Sequence, residues 1–211
     1  LAAFNLLLYL YQRVDTLLMN GQVSLKEIGD YALAYRGLEA TLMVPGSVAL
    51  ILFSDTAGEK DQAESHKSLM HAFLLSIATC FTVIAVMMLV APFAVALLFG
   101  KSFDNVSVLL RVLILGLAFQ AVNPILNRWF SFVGQNDKLV WIGAVGLISN
   151  VAFNLIWLPR YGTMGSAYAT IASYACVTCS YLLLVWRLKL INPSLAFTLL
   201  RESLHRGNTR A

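Results

Sequence analysis

Of the 211 residues, 59% are hydrophobic and 12% charged, with a mean hydropathy of +0.73. A soluble core does not absorb so much apolar sequence, whereas a bilayer does. The net charge of +4 is spread between segments and not gathered on one face, which argues against a nucleic-acid partner.

Six apolar stretches are each near the ~20 residues that span a ~30 Å hydrocarbon layer as a helix. They are Leu1–Met19, Gly29–Phe53, Leu69–Phe99, Val106–Phe132, Leu139–Leu158 and Gly165–Trp186. Their length and lack of dyad alternation predict helices and not barrel strands. The expectation is an all-α, polytopic membrane bundle of about six helices over residues 1–187, followed by a tail over 188–211. The third stretch is too long for one straight crossing. Pro92 is expected to end its spanning part and leave Phe93–Phe99 as an interfacial segment closed by Gly100. Pro45 and Pro124 are expected to kink the second and fourth helices. The connections Asn20–Ile28, Ser54–Ser68, Gly100–Asn105, Val133–Lys138 and Pro159–Met164 are short, which makes neighbouring helices antiparallel. Ser54–Ser68 is the most polar of them and is expected to be mobile. The chain opens Leu-Ala-Ala inside an apolar run, without an initiator Met, and is expected to be a piece of a longer one.

With the C-terminal tail inside, Lys60, Lys67, Arg128, Lys138, Arg187, Lys189, Arg201, Arg206 and Arg210 fall on the cytoplasmic side. Only Lys26, Lys101 and Arg160 fall outside, a bias that sets the orientation. In the tail, Ser194 and Gly207 bracket Leu195, Leu199, Leu200 and Leu204 at helical spacing. That pattern reads either as an amphipathic helix on an anionic leaflet or as a frayed polar end. Cys80, Cys176 and Cys179 lie in apolar runs and read as reduced packing residues. A single CxxC without a second ligand pair does not make a zinc site.

Ionised residues inside the first two apolar runs are the most informative feature. Arg13 and Asp15 lie in the first; Arg36 and Glu39 lie in the second. In antiparallel helices both arginines fall about seven residues from the shared turn, roughly 10 Å below that surface. Charges at that depth are expensive against lipid, so they are expected to face a protein interior or a water-filled cavity. Arg13 and Asp15 are two apart and cannot share one helix face, so partners across helices are required.

Several stretches carry a family resemblance. RVD in the opening helix, IGDYALAYRGLE, LLFGKSFDNVSVLLRVL, NPILNRWFSFVGQNDK and SNVAFNLIWLPRYGTMGSAYATIAS follow one another in order. Together they resemble the second half of bacterial polysaccharide (O-antigen) flippases, in the multidrug/oligosaccharidyl-lipid/polysaccharide exporter superfamily. The resemblance extends to about Lys189. It implies a transporter of two pseudo-symmetric bundles, this chain being the C-terminal one, in the bacterial inner membrane. It further implies alternating access that carries an undecaprenyl-diphosphate-linked oligosaccharide across for O-antigen, capsule or exopolysaccharide synthesis. The implied partners are that lipid-linked substrate, membrane lipids, and polysaccharide polymerase and chain-length proteins.

On this reading Arg13, Arg36, Asp15 and Glu39 line a hydrophilic cavity in which guanidinium groups hold pyrophosphate or acidic sugars. The carboxylates tune them or carry coupling protons. The competing reading is an interhelical salt bridge, for example Arg13–Glu39, that only locks two helices. Tyr9, Tyr11, Tyr31 and Tyr35 flank the cluster; Tyr31 and Tyr35 share a face and are candidates for stacking on sugars or for anchoring at the interface. Arg111 snorkels to the interface or joins the cavity. Asn123/Asn127 and Asn150/Asn154 are i, i+4 pairs, read as glue between helices or, for Asn127 and Asn154, as a sugar-binding wall. Gly162, Gly165, Ala167, Ala169 and Ser173 permit close helix approach.

No G-x-x-x-x-G-K-S/T, H-E-x-x-H or G-x-S-x-G motif occurs. No catalytic residue, metal or cofactor is expected, so a membrane potential or an ion gradient would supply the work. The rival functions are a lipid II flippase, a cation-coupled drug exporter, a glycosyltransferase or polymerase, and a non-transporting assembly subunit. Three intramembrane arginines argue against the drug exporter, and the short connections argue against the glycosyltransferase.

Overall fold

The computed structural model describes residues 2–57, 62–132 and 134–188. All described elements are helical: α1 (Ala2–Met19), α2 (Leu25–Ala57), α3 (Gln62–Phe99), a 3-10 turn (Lys101–Phe103), α4 (Asp104–Ile114), α5 (Leu117–Gln120), α6 (Asn123–Phe132), α7 (Asn136–Tyr161) and α8 (Thr163–Arg187). Three of them, over Ala72–Phe99, Asn136–Tyr161 and Thr163–Arg187, are long and apolar enough to cross a membrane. Asp104–Gln120 with Asn123–Ser131 makes a fourth candidate span, bent by 43°. The chain is an all-α, polytopic membrane bundle.

Local signals explain the ends. Gly21, at φ 80°, turns the chain out of α1. Ser24 and Glu27 then form a capping box at the start of α2. The Ser24 N–H donates to Glu27 Oε2 at 2.9 Å and its hydroxyl at 2.7 Å, while the Glu27 N–H returns to Ser24 Oγ at 3.3 Å. Glu27 is fully exposed, and these bonds hold its carboxyl below the usual glutamate value. At the other end of the bundle's third helix, Gly100 at φ 85° stops α3 as expected.

Two proline expectations need correction. Pro92 does not end a span: α3 passes through it to Phe99. A proline removes one intrahelical donor, and buried Ala91 and Val95 pack the helix on both sides of the gap. At Pro124 the outcome is larger than a kink, because the fourth stretch divides into α4, α5 and α6. Hydroxyls of neighbouring helices take up carbonyls at that division. Ser76 of α3 donates to the Ala121 carbonyl, and Thr178 of α8 donates to that of Phe119 at 2.6 Å. Such side-chain donors are what make a broken helix tolerable away from water.

The polar connection Ser54–Ser68 is also narrower than expected, since α2 reaches Ala57 and α3 starts at Gln62. Similarly, α7 runs through Pro159 to Tyr161, leaving Gly162 as the turn into α8. A Cβ at Gly165 would overlap the Trp157 carbonyl, so only glycine lets α8 leave α7 this closely. The helix expected over Ser194–Gly207 lies outside the described residues.

α7 packs along α8 and α1, while α2 packs against α3 and α4; α4 and α5 join the two groups by touching α8. The main core joins Met19, Leu38, Leu113, Ile114 and Leu117. A smaller core joins Leu126, Phe130, Leu139, Ile142 and Tyr181.

Candidate functional site

The residues singled out by sequence divide among three places: a buried hub, an outer face and a cavity. At the hub, Asp15 is 1% exposed and four helices converge on its carboxylate. Asn154 of α7 donates to Oδ1 at 2.8 Å; Tyr31 of α2 and Thr170 of α8 donate to Oδ2 at 2.7 and 2.8 Å. A surrounding shell holds these donors in place. Ser166 donates to Asn154 Oδ1 at 2.6 Å, Asn154 also bonds Asn150 at 3.0 Å, and Tyr11 Oη and Ser173 Oγ stand 2.8 Å apart. Every group named is buried. A carboxylate inside a bundle persists only when its lone pairs are met in this way. Tyr35 is buried beside the hub, its ring 6.0 Å from that of Tyr31.

The outer face belongs to α1 and α2. Arg13 shares a stripe of α1 with the exposed Tyr9, Leu10 and Leu17. Its Nη2 lies 3.7 Å from Glu39 Oε1 of α2, and the two side chains are 46% and 30% exposed. That separation is too long for a good hydrogen bond. Arg36 is exposed one turn before Glu39 and therefore joins the same face. Arg111 lies elsewhere, on the outward stripe of α4 with Val108 and Leu115. Among the described residues, neither Arg36 nor Arg111 forms an ion pair.

The cavity, about 700 Å³, opens between α1, α6, α7 and α8. Gln120, Asn123, Asn127, Arg128, Ser131 and Tyr181 supply its polar lining. Of the Asn pairs, then, Asn123/Asn127 line a cavity whereas Asn150/Asn154 belong to the hub, where Asn154 is fully bonded and Asn150 Nδ2 is buried without a partner among the described residues. Asn127 stands beside the Tyr181 phenol. Among the described residues, no group of three His, Cys, Asp or Glu side chains is placed to hold a metal ion.

Comparison with known proteins decides the family. A family model described as lipid II flippase MurJ matches residues 30–205. The chain belongs to the MurJ family. It is also similar to the probable low-salt glycan biosynthesis flippase Agl15 of Haloferax volcanii, with 24% identity over 174 residues. Those residues are 79% of this chain and 36% of the relative, so the chain spans about a third of that relative's length. No solved structure matches. Membership of the MurJ family places the chain in a flippase family, and its apolar helices make it a multi-pass membrane protein. The expectation of a flippase of the wider superfamily stands at that level, and the family shown is the lipid II one.

Residue patterns missed part of this arrangement. Thr170 and Ser166 escaped notice because a hydroxyl in an apolar helix looks like filler. Ser131 and Tyr181 carried no signal of their own, and Arg128 read only as a topology marker. The spacing of Asn150 and Asn154 marked a face, but not that Asp15 lies across from it.

Proposed function

We propose that this chain is one bundle of a two-bundle transporter that moves a lipid-linked glycan across a membrane by alternating access. The observation that carries the reading is the common outward face of Arg13, Arg36 and Glu39. Charges presented to acyl chains are costly, so this face is assigned to a wet chamber shared with a second bundle. The loose 3.7 Å pairing of Arg13 with Glu39 suits guanidinium groups that exchange a carboxylate for substrate phosphates. If Arg13 and Glu39 served only as a clamp between helices, a shorter and more buried contact would be expected.

On this reading α1 and α2 also cross the bilayer. The substrate on this reading is an undecaprenyl-diphosphate-linked saccharide; the family match favours lipid II over an O-antigen or capsule unit. In the second case, polymerase and chain-length proteins are the partners. The assigned membrane is the bacterial inner membrane, with the C-terminus cytoplasmic following the bias of Lys and Arg. Arg111 and Tyr35 contribute to the chamber wall only if the helices shift, since one is on α4's outer stripe and the other is buried.

Arg13→Ala and Arg36→Ala in the complete protein, reconstituted in liposomes, test the reading. Transfer of lipid II between leaflets should fall at least tenfold while protein yield and melting temperature hold. Unchanged transfer in both variants discards the site. Running the same assay with an undecaprenyl-linked oligosaccharide separates the two substrate classes.

A further inference from the structure

We propose that the α1/α6/α7/α8 cavity binds a saccharide unit of the lipid-linked substrate, with Arg128 at its rim meeting the adjoining phosphate. This inference rests on the flippase reading and deepens it. The cavity is distinct from the Arg13–Glu39 face, because its α1 residue Tyr11 stands two residues, about 200°, from Arg13 and so lies on another side of the helix.

The position follows from the helices. Leu8, Ser131, Ile142 and Tyr181 all line the cavity, and each lies within about seven residues of the end of its own helix. The start of α1, the end of α6, the start of α7 and the end of α8 therefore meet around it, within roughly 10 Å of one end of the bundle. Arg128, Lys138 and Arg187 belong to that end, against Asp137 alone among the described acidic residues of those helix ends. This is the end that the charge bias assigns to the cytoplasm, where a lipid-linked glycan is loaded.

The lining chooses the ligand. Asn127 offers an amide and Ser131 and Tyr181 offer hydroxyls, while Asn123 donates to Gln120 Oε1 at 2.8 Å and accepts from Thr178 at 3.2 Å, which leaves Gln120 its own N–H donors. That set matches sugar hydroxyl and acetamido groups and gives a free phosphate or a metal ion little to hold. Among the described residues, Arg128 is the one ionised lining residue and is exposed, which puts a cation where a saccharide would join its phosphate. Aromatic rings supply surface for the apolar face of a pyranose. A Cβ at Gly146 would stand 2.9 Å from Val177 and 3.9 Å from the Tyr11 ring, so glycine keeps that wall thin. The volume, about 700 Å³, falls within the range of small-molecule sites, roughly 300–1,000 Å³.

The test uses the complete protein in liposomes with an undecaprenyl-diphosphate-linked disaccharide carrying a diazirine on the sugar. After irradiation, labelled peptides are mapped by mass spectrometry. Label is expected on α6 between Asn123 and Ser131, reduced at least tenfold by Asn127→Leu and by Ser131→Trp. Ser131→Trp blocks from a half-buried position, so it keeps the test decisive should Asn127→Leu not fold. Unlabelled glycolipid should compete at least tenfold better than sugar-free undecaprenyl diphosphate, which keeps only the phosphate contacts, and phosphatidylglycerol should not compete. Label confined to α1 and α2 with transfer intact, or α6 label unchanged in both variants, overturns this inference and leaves the flippase reading standing. Competition by sugar-free undecaprenyl diphosphate equal to that of the glycolipid overturns the saccharide assignment. A wild-type protein that neither transfers nor becomes labelled overturns both.

Discussion

Arg13 and Asp15 stand two residues apart on α1 and end in opposite surroundings. Asp15 is sealed among α2, α7 and α8, with donors from each on its two oxygens. Arg13 is turned outward and meets one carboxylate at 3.7 Å. Two residues of helix amount to about 200°, which is enough to put neighbours on opposite faces. An ionised side chain in an apolar run therefore marks either a structural joint or a working surface, and its number of partners tells which. Asp15 is spent on holding four helices together; Arg13 keeps its donors available.

The sharpest way to break this contrast is Asp15→Ala. It removes the shared acceptor of Tyr31, Thr170 and Asn154, leaving the two hydroxyls only each other at 3.1 Å and Asn154 only Asn150. At ~0.6–2 kcal/mol for each interhelical bond in a membrane, the expected loss is about 3 kcal/mol. Thermal unfolding in detergent should show it as a large fall in melting temperature and yield. Stability near wild type would mean that the hub is not what joins α1 to α7 and α8.

A smaller effect is expected where the same kinds of bond face water. Ser24→Ala removes the capping hydroxyl, and helix-start substitutions of this type cost about 1 kcal/mol. The pH dependence has a definite sign. Because the folded Glu27 carboxyl titrates below its ordinary value of 4.5, the box contributes fully above that pH. Its contribution fades as the pH falls through the lower folded value. The difference in melting temperature between wild type and Ser24→Ala should accordingly shrink in acid; a difference independent of pH would separate Glu27 from the cap.

The smallest stability effect belongs to the outer face. A double-mutant cycle of Arg13→Ala and Glu39→Ala should give a coupling below ~1 kcal/mol, as exposed ion pairs do. A coupling as large as the Asp15 effect would erase the distinction drawn here and favour the helix clamp.

Several features were legible from residue patterns alone. Helices, their apolar lengths and most of their ends follow from composition and from Gly21, Gly100 and Gly162, because these are local properties of the chain. The flippase class was legible from the order of short motifs. Pro92 misled because a proline's local cost says nothing about the packing that surrounds it. Pro124 was read correctly as a disturbance but not as a division, since Ser76 and Thr178 come from helices far away in sequence.

What the sequence by itself determined is thus a chain of apolar helices with a few charges that no bilayer would accept unpartnered. Only the tertiary structure decided which of those charges are consumed in the hub and which remain on a face. It also decided that one Asn pair lines a cavity while the other is buried in the hub. The physical reason is that burial and hydrogen bonding at Asp15 depend on Asn154 and Thr170, more than a hundred residues away. No periodicity within a single helix carries that information.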